Sequence, residues 1–135
     1  QHFAAEFIGR FLKERNSLPA ISLTTDTSIL TSLGNDYNFE TIFSRQCESI
    51  VKKDDIVFGI STSGNSINVI NGFNTAKNYG GFTIGLLGSD GGALNKISDL
   101  SIIIPSNNTP RIQESQRIIL HIICEIVEEH FSNKK

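Results

Sequence analysis

The stretch Asp55-Ile-Val-Phe-Gly-Ile-Ser-Thr-Ser-Gly-Asn-Ser66 decides the fold. An apolar run of strand length, Ile56 to Ile60, gives way to three consecutive hydroxyls, a glycine, an asparagine and a fourth hydroxyl. A helical pattern from Ile67 to about Tyr79 follows directly. A buried strand that ends in a small hydroxyl-rich turn at a helix start is suited to an anion. The free N–H groups of the first helical turn and the Ser/Thr oxygens can both donate to a phosphate. The loop holds no lysine and lacks the GxxxxGK[ST] spacing, so it is not a nucleotide P-loop, and a phosphorylated small molecule fits better than ATP. An ordinary turn with Ser66 as N-cap uses the same local chemistry, and the local pattern does not choose between the two.

Length and charge narrow the class. The 135 residues predict one domain with chain enough for an ordinary core. A formal charge of −2, with Lys52-Lys53 and Lys134-Lys135 as the only adjacent basic pairs, argues against a nucleic-acid surface. No apolar run approaches the roughly 20 residues of a membrane span, and no signal peptide opens the chain. Cys47 and Cys124 form no CxxC and fall in helical patterns. That usage suggests a reduced, cytoplasmic compartment, with both thiols as packing residues.

Outward from the central stretch, helices alternate with short apolar runs. His2 to about Arg15 reads as a helix already under way at Gln1, so an upstream portion is expected. Ala20 to Leu23 reads as a short buried strand. Thr24-Thr25-Asp26-Thr27 caps a helix from Ser28 to about Leu33, with Gly34 as its stop. Phe39 to Val51 is a helix with Ile42, Phe43, Cys47 and Ile50 on one face. Further strands follow at Phe82–Leu87 and Leu100–Ile104, and Gly88–Gly92 leads into a short helix at 93–96. Pro110 opens a long helix to about Phe131, with Ile112, Ile119, Ile122, Ile123, Ile126 and Phe131 as its buried stripe. Strands each followed by a helix predict an α/β fold, a parallel sheet covered on both faces. Ligands in such folds bind beyond the carboxyl ends of the strands. Of the polar turns there, Thr24–Thr27, Ser61–Ser66 and Gly88–Gly92, the second is richest in donors and is assigned the phosphate.

Among ionisable residues, His2 and Glu6 are four apart on one helix and project from one face. The spacing suits a shared metal ion or an acid/base pair, but it is common by chance, and a solvated pair is the default reading. His121 lies in a run otherwise apolar from Ile118 to Cys124, where a histidine ordinarily packs in a core or interface. Asn35-Asp36, straight after Gly34, would ordinarily be a turn pair.

Taken together, His2-Phe-Ala-Ala-Glu6 with Gly9-Arg10, Gly34-Asn-Asp36, Phe43-Ser-Arg45, Gly59-Ile-Ser-Thr-Ser-Gly-Asn-Ser66, Asp90-Gly-Gly92, Arg111-Ile-Gln-Glu114 and His121 occur in this order. The chain strongly resembles the phosphoheptose isomerases of the sugar isomerase (SIS) fold over essentially its whole length. The resemblance implies a single SIS domain over residues 1–135, a flavodoxin-like three-layer α/β/α sandwich lacking its N-terminal strand and helices. It implies interconversion of sedoheptulose 7-phosphate and D-glycero-D-manno-heptose 7-phosphate through an enediol, for lipopolysaccharide or other surface heptoses. A cytoplasmic homotetramer with one zinc ion per site is implied as well. By motif, Ser61, Thr62, Ser63 and Ser66 would contact the substrate, chiefly its phosphate, and Asn35 and Asp36 would face the sugar. Glu6 would be the general base and His121 its acid partner, with His2, Glu6, Gln113 and His121 as zinc ligands. Gln113 would also touch the substrate. The family's Asn-Gly-Gly-Ser loop, which normally precedes the His2 helix, is absent, and Gln116 stands where some relatives carry histidine. A tetrameric SIS scaffold that binds the replication initiator is the rival reading. It lacks the Glu and His that match Glu6 and His121, and both are kept here. A phosphosugar-sensing regulator would need a DNA-binding extension.

Geometry adds an expectation about subunits. Gln113 and His121 are eight residues apart on one predicted helix, a rise of about 12 Å with roughly 80° of rotation. Neighbouring zinc donors lie only about 3–3.5 Å apart, given bonds near 2.0–2.2 Å. One straight helix brings both to one ion only if each side chain is stretched almost fully along its axis, and a fit with less strain takes Gln113 from one chain and His121 from its neighbour, or breaks the helix between them. The active site is therefore expected to be shared between subunits.

Overall fold

Three apolar runs become strands because each can bury side chains on a sheet face while its backbone pairs with the next run. A computed structural model describes residues 1–132, so Lys134-Lys135 lie outside the described residues. In chain order the elements are α1 (His2–Ile8), α2 (Thr27–Asp36), a 3-10 turn (Phe39–Thr41), α3 (Ser44–Ile50), β1 (Ile56–Ser61), α4 (Ile67–Asn78), β2 (Phe82–Gly88), α5 (Gly92–Ile97), β3 (Leu100–Ile104) and α6 (Thr109–Ser132). The strands lie in the order β1-β2-β3, all parallel. Each parallel step needs a crossover, which α4 and α5 supply, and the right-handed rule puts both on one face of the sheet. The α/β fold and its parallel sheet are as the sequence predicts.

The chain divides into two compact units. One holds Gln1–Thr25 and the chain from Glu114 onward, the other Asp26–Gln113. The second unit contains the sheet. Its core is Phe73, Leu87 and Leu94, with Val57, Val69, Ile70 and Ile97 packed around them. Gly59 pairs with Gly85 across β1 and β2. A Cβ at Gly59 would sit 2.5 Å from the Phe73 ring, so the missing side chain is what lets α4 approach the strand. Ile42 and Cys47 are buried as well, and α3 packs against α4.

In the first unit α1 is short, carries no buried residue and has no side-chain N-cap. It ends at Ile8 rather than near Arg15, because Gly9 breaks the pattern and Arg15 turns back to the α1 carbonyls. Ala20–Leu23 is not a strand. Its hydroxyls are used locally, Ser22 Oγ with Thr24 Oγ1 and Thr25 Oγ1 donating to the Ser22 carbonyl, and Ile21 is exposed. The described sheet therefore has three strands instead of four.

Two helix boundaries also differ. Asp26 caps α2 by accepting from the Ile29 amide, and the helix runs through Gly34 to Asp36. Nothing presses on Gly34, so its small penalty does not stop a well-capped helix. The span expected as one helix at Phe39–Val51 is a 3-10 turn followed by α3. On α6 the expected stripe is only partly buried. Ile112 is buried, but Ile122, Ile126 and Phe131 are exposed, and Gln116, Cys124 and Glu128 are the other buried positions.

Asp99, at the entry to β3, ties three elements together. Its Oδ2 accepts from the Thr83 amide and hydroxyl, both at 2.8 Å, and its Oδ1 accepts from Lys77 Nζ at 2.8 Å. The Lys77 ammonium, then the Thr83 amide and hydroxyl, lower its pKa from 3.8 to about 2. A carboxylate depressed on folding stabilises above its unfolded pKa and loses that contribution as pH falls through the folded one. Asp99→Asn is therefore expected to unfold at lower urea than wild type at pH 7, with the gap closing as pH falls from 3.8 to about 2. A gap independent of pH over that window would show that the ionised carboxylate contributes nothing.

Candidate active site

β1 delivers the chain into the hydroxyl turn with Ser61 buried at its end. Ser61 Oγ accepts from the Gly64 amide at 3.1 Å and pairs with Ser66 Oγ at 2.9 Å. Ser66 stands at the N-cap of α4, yet its side chain makes no capping bond, because Ser61 holds it. Ser66 is thus the N-cap by position, as an ordinary turn would have it, but the first-turn amides of α4 are not served by Ser66 Oγ. Asn65 Oδ1 accepts from the Ala93 amide at 2.9 Å, and the Gly64 carbonyl accepts from Leu94 N at 2.9 Å. The turns after β1 and β2 thus clasp each other. Gly64 has φ +68° and its missing Cβ would fall 2.1 Å from the Gly91 carbonyl oxygen, so only glycine fits there.

A cleft of about 270 Å³ opens beside this turn. Thr62, Ser63 and Ser66 line it from β1's end, Ser89 from β2's end, and Asn107, Thr109 and Ile112 from beyond β3. Of the four residues assigned to the phosphate, three reach the cleft, and Ser61 braces them from below. Ser89, Asn107 and Thr109 escaped sequence reasoning. Their position after the carboxyl ends of β2 and β3 was the available signal. Asn35 and Asp36 lie at the exposed end of α2, where Asn35 Nδ2 donates to Asp36 Oδ1 at 2.9 Å. Neither lines this cleft.

In the first unit, α1 and α6 bring His2, Glu6 and His121 together. His2 Nε2 lies 3.1 Å from Glu6 Oε1 and 3.2 Å from His121 Nε2. One ligand atom from each falls within 4.8 Å of the others. Glu6 is the more sheltered of the α1 pair, at 19% exposed against 56% for His2. The Phe11 ring lies against His121, with centroids 5.5 Å apart. Two Nε2 atoms at 3.2 Å repel unless one carries a proton or both face a shared cation. Two imidazoles and one carboxylate at this spacing fit a zinc ion with an open fourth position. Cys124 is buried and its thiol is pushed up to about 11, by burial first and then by the charges of Glu6 and Glu128. It stays protonated at neutral pH and packs rather than ligates, as does Cys47, whose pKa burial also raises.

Glu6 and His121 meet within a single chain. The helix joining Gln113 to His121 is unbroken, so there is no break between them. Gln113 is exposed.

Comparison with known proteins defines the class. The family model described as "SIS domain" matches residues 1–88. The phosphoheptose isomerase of Aliarcobacter butzleri is 52% identical over 133 residues, 98% of this chain and 70% of that protein. That of Geobacter sulfurreducens is 57% identical over 129 residues, 96% of this chain and 68% of that protein. Among solved structures, a phosphoheptose isomerase from Francisella tularensis superposes with a TM-score of 0.91 at 37% identity, covering 96% of this chain and 69% of the other. One from Neisseria gonorrhoeae gives 0.89 at 40% identity, covering 96% and 68%. The chain belongs to the phosphoheptose isomerases of the SIS-domain family, and it is an isomerase.

A carboxylate placed in the cleft opposes an anion there. Inorganic phosphate is expected to raise the melting temperature of the wild-type protein, and Ser63→Asp is expected to abolish that rise. An undiminished rise would move the anion site away from this turn.

Proposed function

We propose that the chain interconverts sedoheptulose 7-phosphate and D-glycero-D-manno-heptose 7-phosphate. The observation that carries this reading is the convergence of His2, Glu6 and His121. Moving a carbonyl between C2 and C1 transfers one proton between carbons and one between oxygens. Glu6 takes the proton from C1 of the ketose while His121 protonates O2, which leaves a neutral enediol. His121 then receives the proton of O1 as Glu6 returns its own to C2, and the aldose forms with both side chains restored. A carboxylate can accept a proton and an imidazolium can donate one, which suits them to these roles. His2, beside both groups, orients the Glu6 carboxylate.

The hydroxyls of Thr62, Ser63 and Ser66 hold the phosphate, with Ser61 fixing their turn, and Asn35 and Asp36 face the sugar. Family membership supports these assignments, and the donor-rich cleft supports those of Thr62, Ser63 and Ser66. His2, Glu6 and His121 are the donors for zinc. When bound, the ion supplies positive charge toward a substrate oxygen. Gln113 joins from a neighbouring subunit of a homotetramer, a reading supported by its exposure and by the unbroken α6. The reading extends to a cytoplasmic role in supplying heptose for lipopolysaccharide or other surface polysaccharide, with the family's reaction as its support. No described helix is long and apolar enough to cross a membrane.

Glutamine at position 6 keeps the volume but cannot accept a proton. Glu6→Gln is expected to lower turnover of sedoheptulose 7-phosphate by at least ~10²–10⁴ while the circular dichroism spectrum is retained. Near-native turnover would take Glu6 out of the mechanism.

A further inference from the structure

α1 places the proposed base, yet nothing in its own packing explains how it is held. It has seven residues, too few to be stable alone, with no buried side chain and no side-chain cap. Its carboxyl-terminal carbonyls are instead gathered by Arg15. Nη2 donates to the carbonyl of Glu6 at 2.7 Å, and Nη1 to those of Phe7 at 2.8 Å, Asn16 at 3.0 Å and Gly9 at 3.3 Å. Those of Glu6 and Phe7 are among the carbonyls that a helix end leaves without intrahelical partners.

Arg15 is in turn set by Glu128. The two side chains are each 3% exposed, with Nε 3.4 Å from Oε1. The Glu128 carboxylate also accepts from three successive amides of the segment after α1: Phe11 at 2.7 Å on Oε1, then Leu12 at 2.6 Å and Lys13 at 2.8 Å on Oε2. Burial pushes Glu128 up, but these amides and the guanidinium outweigh it and hold the carboxyl below its ordinary range. Glu128 follows His121 by seven residues, two turns on along the same face of α6, about 10 Å away. One helix therefore presents His121 to Glu6 and, two turns later, clamps the segment that leaves the Glu6 helix.

A buried ion pair is a poor source of net stability, and its best-attested use is to fix one arrangement among several. We infer that Arg15 and Glu128 are positioning residues of the isomerase, which hold the α1 backbone so that Glu6 meets His2 and His121. The inference rests on the proposed role of Glu6. Arg15 touches the carbonyl of Glu6, not its carboxylate, so it acts on where the base stands and leaves its chemistry alone.

Two variants of the full chain test this. Arg15→Lys keeps the charge, but one ammonium cannot span the carbonyls that the guanidinium bridges. Glu128→Gln keeps the shape and sets an NH₂ against amides that need an acceptor. Outer residues that orient a site typically matter by ~10–100-fold, so kcat for sedoheptulose 7-phosphate is expected to fall by about that factor with KM within about threefold. The affinity of the metal-free protein for zinc alone, read by calorimetric titration, is expected to fall by a similar ~10–100-fold. If Glu128→Gln does not fold, Arg15→Lys decides. Folded variants that melt earlier yet keep kcat and zinc affinity within about twofold of wild type would reduce the pair to a structural tie and overturn the inference. Weakened zinc binding in Arg15→Lys, beside normal turnover by Glu6→Gln, would leave the positioning intact and remove Glu6 as the base.

Discussion

Parallel pairing of β1, β2 and β3 is the constraint on which the sheet-bearing unit depends. A parallel strand cannot return by a hairpin, so each connection must travel the length of the sheet as a helix. The turns that follow the strands therefore all fall at one end. That end gathers Thr62, Ser63 and Ser66 after β1, Ser89 after β2, and Asn107 and Thr109 after β3. The clasp between Gly64 and Gly91 then brings the first two turns closer than any residue with a side chain allows. Ser61 gives up its solvent exposure to hold Ser66, and the hydroxyls that remain face the cleft.

In the unit that carries His2, Glu6 and His121, the governing chemistry is polar. α6 buries Gln116 and Glu128 alongside Cys124, while Ile118, Ile122 and Ile126 are exposed. The buried carboxylate is tolerated because three amides and a guanidinium surround it. Packing therefore sets the sheet and its cleft, whereas hydrogen bonding sets α1. A mutation that enlarges a cavity and a mutation that removes an acceptor should disturb different parts of the molecule.

The sheet was legible because runs such as Ile56–Ile60 and Leu100–Ile104 are bounded by turn residues and followed by helical spacing. α1 was not, because its end is decided by Arg15, a contact between residues whose neighbourhood no periodicity encodes. Ala20–Leu23 misled for the opposite reason. It has strand-like residues, but its hydroxyls find partners within the segment and no described strand lies beside it. In the site, the i,i+4 spacing of His2 and Glu6 marks them as a pair on one face but fits a solvated pair as well, so their role too came from the family resemblance. His121 and Gln113 entered only through family resemblance, since a histidine in an apolar run is ordinarily a packing residue. The cleft's far wall, Asn107 in the loop after β3 and Thr109 at the start of α6, carries no signal in its composition beyond polarity, only its position after the strand.

The central claim is that base and acid of the isomerisation stand in one chain. Subunit mixing tests it most directly. Glu6→Gln and His121→Ala proteins, each inactive and differently tagged, are dissociated together, reassociated, and purified by both tags in turn. Each site in such a hybrid then lacks one of the two groups if both come from the same chain. The convergence of His2, Glu6 and His121 within one chain predicts turnover no higher than that of the parent variants. Recovery of a substantial fraction of wild-type turnover would contradict it, and would assign base and acid to different subunits.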